Sequence, residues 1–142
     1  MGYKSDVRII TTKKGFDKLK KYIDEVIQLK EKTYTNLLDE CIILGETKEL
    51  KYFGWNDIKW YEDEYGPVKA VMDGLHHLRD YDFSYRYSRF GENYDDYNEF
   101  NYNSYKREKF EMPYICLKRN YDDELVLNNI RITEKMTRDI ER

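Results

Sequence analysis

A chain of 142 residues has the length of one ordinary domain, and 40% hydrophobic residues, with 15 tyrosines, 6 phenylalanines and 2 tryptophans, give it the material of a folded interior despite 37% charge. The net charge of -3 is unevenly spread: residues 1–32 carry 9 Lys/Arg against 5 Asp/Glu, leaving 16 against 23 over residues 33–142. That distribution excludes a broadly basic groove for a phosphate backbone, favours basic partners over most of the chain, and leaves only a local basic patch near its start.

Strand 6–12, DVRIITT, is predicted from its β-branched residues, and TTKKG supplies the turn or cap before Phe16, Leu19, Ile23, Val26 and Ile27 recur at helical spacing. Residues 33–44 read two ways, because Tyr34, Leu37, Leu38, Cys41 and Ile42 suit a helix while CIIL alone suits a short strand. A hairpin or bulged strand is expected in ELKYFGWNDIKWYEDE, with Gly54 as the irregular position and the two tryptophans anchoring a sheet face or rim. Pro67 then opens a helix whose stripe is Val68, Val71, Met72, Leu75 and Leu78, with Gly74 allowing close packing.

DFSYRYSRF alternates Phe83, Tyr85 and Tyr87 with Ser84 and Arg86, the pattern of a strand over 82–90. It runs directly into GENYDDYNEFNYNSY, residues 91–105, read as a loop holding four tyrosines, four carboxylates and four asparagines with no Lys or Arg. MPYICLK and ELVLN are expected as two further strands joined by an NYDD turn, and the tail from IRIT onward as β-branched alternation ending in a short helix. The resulting fold class is α+β: one domain over residues 1–142, a two-layer sandwich with a ferredoxin-like core and additional C-terminal strands.

Catalytic patterns are weak. The sequence lacks the zinc motifs, the phosphate-binding glycine loops and the nucleophile elbow, so no catalytic residue, metal or cofactor is assigned. His76 and His77 point about 100° apart on a helix and cannot chelate one ion as a pair; with Asp73 and Asp80 they are the first positions to substitute under an enzyme alternative. The carboxylates Glu62, Asp63 and Glu64 form one cluster and Glu92, Asp95, Asp96 and Glu99 another, and the second fails calcium-loop spacing because Phe100 stands where an oxygen ligand is expected. Ser84, Ser88 and Ser104 have no base and orienter around them, and Cys41 and Cys116, far apart and without a CxxC pair, read as buried reduced thiols.

Recognition chemistry is better represented. Glu92, Tyr94, Asp95, Asp96, Tyr97 and Glu99 combine charge with large, low-entropy aromatic area, which suits a partner protein with a basic surface. The alternative set is Lys13, Lys14, Tyr85, Arg86, Tyr87 and Arg89, an aromatic and basic sheet face for nucleic acid, a nucleotide or another phosphorylated ligand. Extra aromatic surface also allows a homodimer. No window approaches about eighteen uncharged apolar residues, so no membrane span is expected and the cytoplasm is the expected compartment.

The stretches YFGWNDIKWYEDEYGPVKAVMDGL and YSRFGENYDDYNEF resemble small accessory proteins of phages and prophages of low-GC Gram-positive bacteria, over residues 48–99. The resemblance implies no reaction. It implies a phage accessory protein, for example one that opposes host defence by binding a host factor in the host cytoplasm.

Overall fold

The computed structural model describes residues 2–62, 66–109, 112–115 and 121–141, with 138–141 described as backbone only. Its centre is β1 (Ser5–Thr12), whose neighbouring residues face opposite sides of a sheet and are buried on both. Thr12 ends the strand and caps the helix α1 (Lys13–Leu29), its Oγ1 accepting from the Gly15 N–H at 2.9 Å, so strand becomes helix with no loop between them. Phe16, Leu19 and Ile23, spaced by three and four, form the buried face of α1.

A short 3-10 helix (Leu37–Asp39), capped by Asn36 Oδ1 on the Leu38 N–H, brings the chain to β2 (Ile42–Glu46) and β3 (Leu50–Ile58). The two-way reading of 33–44 thus resolves into both states, with CIIL giving the strand. Helix α2 (Gly66–Asp80), β4 (Tyr85–Gly91), β5 (Tyr97–Tyr102) and α3 (Asp123–Glu141) complete the described elements. The strands form one antiparallel sheet in the order β2-β3-β1-β4-β5.

One face of that sheet, with Val7, Ile9, Phe53, Trp55, Tyr85 and Tyr87, packs against Leu19, Ile23, Val71, Leu75 and Leu78 of α1 and α2. Gly74 admits the close approach expected of it, since a Cβ there would lie 2.4 Å from Leu19 Cδ1. The opposite face, with Ile10, Leu50 and Tyr52, packs against Met112, Ile115 and Val126 and Ile130 of α3. Helices therefore cover both faces, which corrects the two-layer expectation.

The C-terminal strands are the second correction. ELVLN and IRIT lie in α3, where Val126 and Ile130 at a four-residue spacing are buried while Ile132, the partner in the β-type alternation, is exposed. Asp122 of the expected NYDD turn accepts from the Leu125 N–H at 3.0 Å and so starts the helix. Residues 112–115 join no strand, and the remainder of MPYICLK lies outside the described residues. The third correction concerns 91–105, which holds the strand β5.

Gly54 is regular, pairing with Arg8 and Ile42, but a Cβ on it would lie 2.0 Å from the Val7 carbonyl oxygen. The irregularity sits further on, where the β1–β3 register shifts between Ser5 and Val7 and Asp57 takes φ 54°. On the α3 side of β1, Arg8 is 4% exposed. Its Nε meets Asp123 Oδ1 at 3.3 Å, its Nη1 donates to the carbonyls of Val7 and Trp55, and its guanidinium lies 4.7 Å from the Tyr121 ring centre. Asp123 also accepts from the Tyr52 hydroxyl at 2.6 Å; burial first, and this bond second, push that phenol well above its ordinary value. Asp123→Ala leaves both donors without their acceptor and should destabilise the fold by about 2–3 kcal/mol in urea unfolding; a cost below about 0.5 kcal/mol would show that α3 is not held this way.

Candidate functional site

Hairpin β4–β5 is the element that projects the acidic, tyrosine-rich stretch. It closes through Gly91 N–H donating to Asp96 O at 2.8 Å and Asp96 N–H donating to Asn93 O at 3.0 Å. Arg89 grips the turn from β4, with Nη2 to Asp96 Oδ1 at 2.8 Å and Nη1 to Asp96 Oδ2 at 3.2 Å, a bidentate pair. The same guanidinium donates to Asn98 Oδ1 and Ser5 Oγ, both at 3.0 Å. Tyr3 donates to Asp96 Oδ2 at 2.6 Å and accepts from the Asn93 N–H at 3.0 Å. The Arg89 hydrogen bonds first, and Tyr3 second, hold the Asp96 carboxyl below its ordinary range.

The far end of β5 is pinned as well. Asp82, at φ 64°, accepts from the Tyr102 hydroxyl at 2.6 Å and from the N–H groups of Tyr105, Lys106 and Arg107 at 2.7–2.8 Å. Those donors, Tyr102 foremost, draw the Asp82 carboxyl far below its usual value.

The four carboxylates of the stretch accordingly divide into two pairs. Asp96 is consumed by Arg89 and Tyr3, and Glu92 accepts from the Lys4 N–H at 2.9 Å. Asp95 and Glu99 are exposed and take no hydrogen bond or ion pair among the described residues. Tyr94 is 78% exposed and Tyr97 55%, beside Phe90 at 6.0 Å between ring centres. Of the six residues expected to bind a protein, four therefore present outward and two hold the platform.

Register determines what else β5 presents. Because the Gly91 N–H donates to Asp96 O across the closing pair, the alternate pairs Arg89/Asn98, Tyr87/Phe100 and Tyr85/Tyr102 are the hydrogen-bonded ones. The backbone N–H and C=O groups of Tyr97, Glu99 and Asn101 then point away from β4, and β5 is the outermost strand. Side chains of Asn98, Phe100 and Tyr102 share the α2 face, whereas those of Tyr97, Glu99 and Asn101 share the α3 face. A groove of about 420 Å³ runs between α2 and β5, walled by Met72, Asp73, His76 and Arg79 on one side and Glu99, Phe100 and Asn101 on the other, with Tyr85 between. Neither this groove nor β5 was read from the sequence; the signals were the two-residue spacing of Phe100 and Tyr102 and the position of Met72 at the rim of the α2 stripe.

The alternative ligand set is not brought together. Tyr85 and Tyr87 are buried against the helices, Tyr87 at 1% exposure, and cannot stack on a base. Arg86 points to the other face, over the Tyr114 ring at 4.1 Å, so the arginine read as external is buried. Arg89 is committed to Asp96, and Lys13 Nζ lies 3.8 Å from Glu46. Lys14 is exposed, with no ion pair among the described residues. At the α1 N-terminus, where a phosphate would sit, Glu108 already accepts from Thr12 Oγ1 and, at 2.5 Å, from the Ser84 N–H.

The histidines separate as their positions on the helix require. His77 stacks on Tyr22 at 4.2 Å and lies 4.6 Å from Tyr81, burial lowering its pKa, while His76 faces the α2–β5 groove. Asp73 pairs with Lys69 at 2.8 Å. Among the described residues no group of three or more His, Cys, Asp or Glu could hold a metal ion. Glu62 accepts from Tyr87 at 2.6 Å; Asp63, Glu64 and Cys116 lie outside the described residues. Cys41 is half-buried, and burial pushes its thiol up to about 11. Ser84 Oγ accepts from the Ser104 N–H, and Ser88 contacts the Tyr121 hydroxyl at 3.0 Å. No described helix is long and apolar enough to cross a membrane.

Comparison with protein-family models, with curated proteins and with solved structures gives no match.

Two measurements check the division of labour. Asp96→Ala should lower stability by about 1 kcal/mol, the value of a charge-assisted pair discounted for its partial exposure, and Asp95→Ala by less than about 0.5 kcal/mol. For Asp82 the folded pKa lies below the unfolded one, so its stabilisation is complete above about pH 4 and is lost as pH falls through the depressed value. The gap in melting temperature between the protein and Asp82→Asn should therefore be constant from pH 5 to 7 and narrow in acid; a gap that widens in acid would reverse the assignment.

Proposed function

We propose that the protein is a non-catalytic interaction module, a phage accessory protein acting in the host cytoplasm, that engages the basic surface of a host protein such as a defence factor. The reading rests on one observation above the rest: the hairpin carrying Tyr94, Asp95, Tyr97 and Glu99 outward is held at both ends, by Arg89 and Tyr3 on Asp96 and by Asp82 on the segment after β5. A pre-ordered surface loses little conformational freedom on binding, and tyrosine adds contact area at low entropy cost. Exposed carboxylates with no internal partner steer a cationic partner and reject an anionic one. Sequence resemblance to phage accessory proteins supports the host setting.

The scaffold we propose beneath this surface is a ferredoxin-like module. Elements β1, α1, β2, β3, α2 and β4, with strands ordered β2-β3-β1-β4, support that assignment, and β5 and α3 are then its elaborations.

Tagged protein incubated with host lysate at low and high salt, followed by mass spectrometry and extraction of nucleotides and nucleic acid, tests the reading. A stoichiometric basic partner, released as salt rises, is expected. With that purified partner, Asp95→Asn combined with Glu99→Gln should slow association about tenfold at low salt and far less at high salt. Full association by the double variant, or a retained nucleotide in place of a protein, would overturn the proposal.

A further inference from the structure

Sheet edges are the places where another chain can add, and natural proteins blunt them with lysine, proline, bulges or brevity. The two edges here differ. Strand β2 has five residues, its register slips between Ile43 and Gly45, and Leu127 of α3 crowds Gly45. Strand β5 has six residues, a register with β4 that runs unbroken from Tyr97 to Tyr102, and neither Lys nor Pro.

Three residues of this open edge, Tyr97, Glu99 and Asn101, aim backbone donors and acceptors outward with no partner among the described residues. Successive side chains of a strand point to opposite faces, so a groove walled by the consecutive residues Glu99, Phe100 and Asn101 is walled by the strand's own edge. Across it stand Met72, His76 and Arg79 of α2; the side chains of His76 and Arg79 take no hydrogen bond or ion pair among the described residues. A helix lying beside an unpaired strand is the geometry that binds peptides by strand addition, with main-chain bonds giving affinity and alternate side chains giving choice.

We propose that β5 takes up an extended segment of a partner protein as a sixth strand of the sheet, and that this segment alternates basic and apolar residues. The proposal rests on the interaction reading above and narrows it from a charged surface to a backbone-pairing edge. A residue directly opposite Glu99 shares its face, and the exposed carboxylate selects Lys or Arg there. The next residue falls on the α2 face opposite Phe100, which is 45% exposed, and enters the groove beside Met72. A second copy of the chain fits less well. The two-fold register that uses all three outward residues pairs Tyr97 with Asn101 and sets two Glu99 carboxylates opposite one another, a destabilising arrangement.

The test uses the full chain and an acetylated, amidated heptapeptide alternating lysine and valine. Calorimetric titration should show binding, and the amide protons of Tyr97, Glu99 and Asn101 should gain protection from exchange. Methylating the lysine amide nitrogens keeps charge and side chains but removes the donors facing β5, and should weaken binding at least about tenfold. Asn101→Pro, which deletes an N–H that the ladder to β4 does not use, should weaken it by roughly five- to tenfold with an unchanged melting temperature; Glu99→Lys should transfer preference to a glutamate–valine peptide. Undiminished binding of the methylated peptide, or no binding of the parent, overturns strand addition and leaves the acidic surface standing. Equal binding of lysine and glutamate peptides overturns the charge-based reading beneath it, and a dimer dissolved by Asn101→Pro assigns the edge to a second copy and overturns the proposal.

Discussion

A guanidinium buried on the central strand is a constraint that the rest of the structure must satisfy. Arg8 stands on β1, on the face turned away from α1 and α2, and an unpaired charge in that position costs several kcal/mol. Asp123 answers it, together with the carbonyls of Val7 and Trp55 and the face of Tyr121. Asp123 is the first residue of α3, so the ion pair and the Tyr52 hydrogen bond dock that helix across the second face of the sheet. Val126 and Ile130 then bury Ile10, Leu50 and Tyr52.

Covering both faces has a functional consequence. The aromatic residues of β4 that could have stacked on a base are spent on packing, and Arg86 is enclosed among Met112 and Tyr114. What the sheet leaves open is its edges. The β2 edge is short and interrupted, and the β5 edge is regular and carries a carboxylate with no partner among the described residues. In the proposed reading, recognition would lie at a border and not a face, with backbone groups carrying part of the chemistry. The same hairpin holds two uses of charge: Asp96 is tied to Arg89, and the Asp95 and Glu99 carboxylates take no partner among the described residues.

Elements with strong local patterns were legible. β1 is rich in β-branched residues, α1, α2 and β4 have apolar residues at one clear period, and local preference and tertiary packing agree in all four. Two elements were not. β5 has a mixed, polar alternation because one of its faces is half-exposed and its outer edge is open, so burial imprints little on it. α3 reads as strands because Leu, Val and Ile cluster in its first half, yet the four-residue interval between Val126 and Ile130 suits a helix packed over a sheet. The candidate site was half legible for the same reason: composition marked 91–105 as a candidate surface without separating Asp96, held by Arg89, from Asp95, which no described residue holds.

By itself, then, the sequence determined the α+β class, the strand-to-helix opening at Thr12, the close approach at Gly74 and a surplus of carboxylates and tyrosines after β4. These are local matters of period, capping and composition. Only the tertiary structure decided which face each tyrosine occupies, which carboxylates stay unpaired and which strand ends the sheet. Those depend on contacts between residues far apart in the chain, such as Arg8 with Asp123 and Tyr3 with Asp96, whose energies exceed the small local preferences they override.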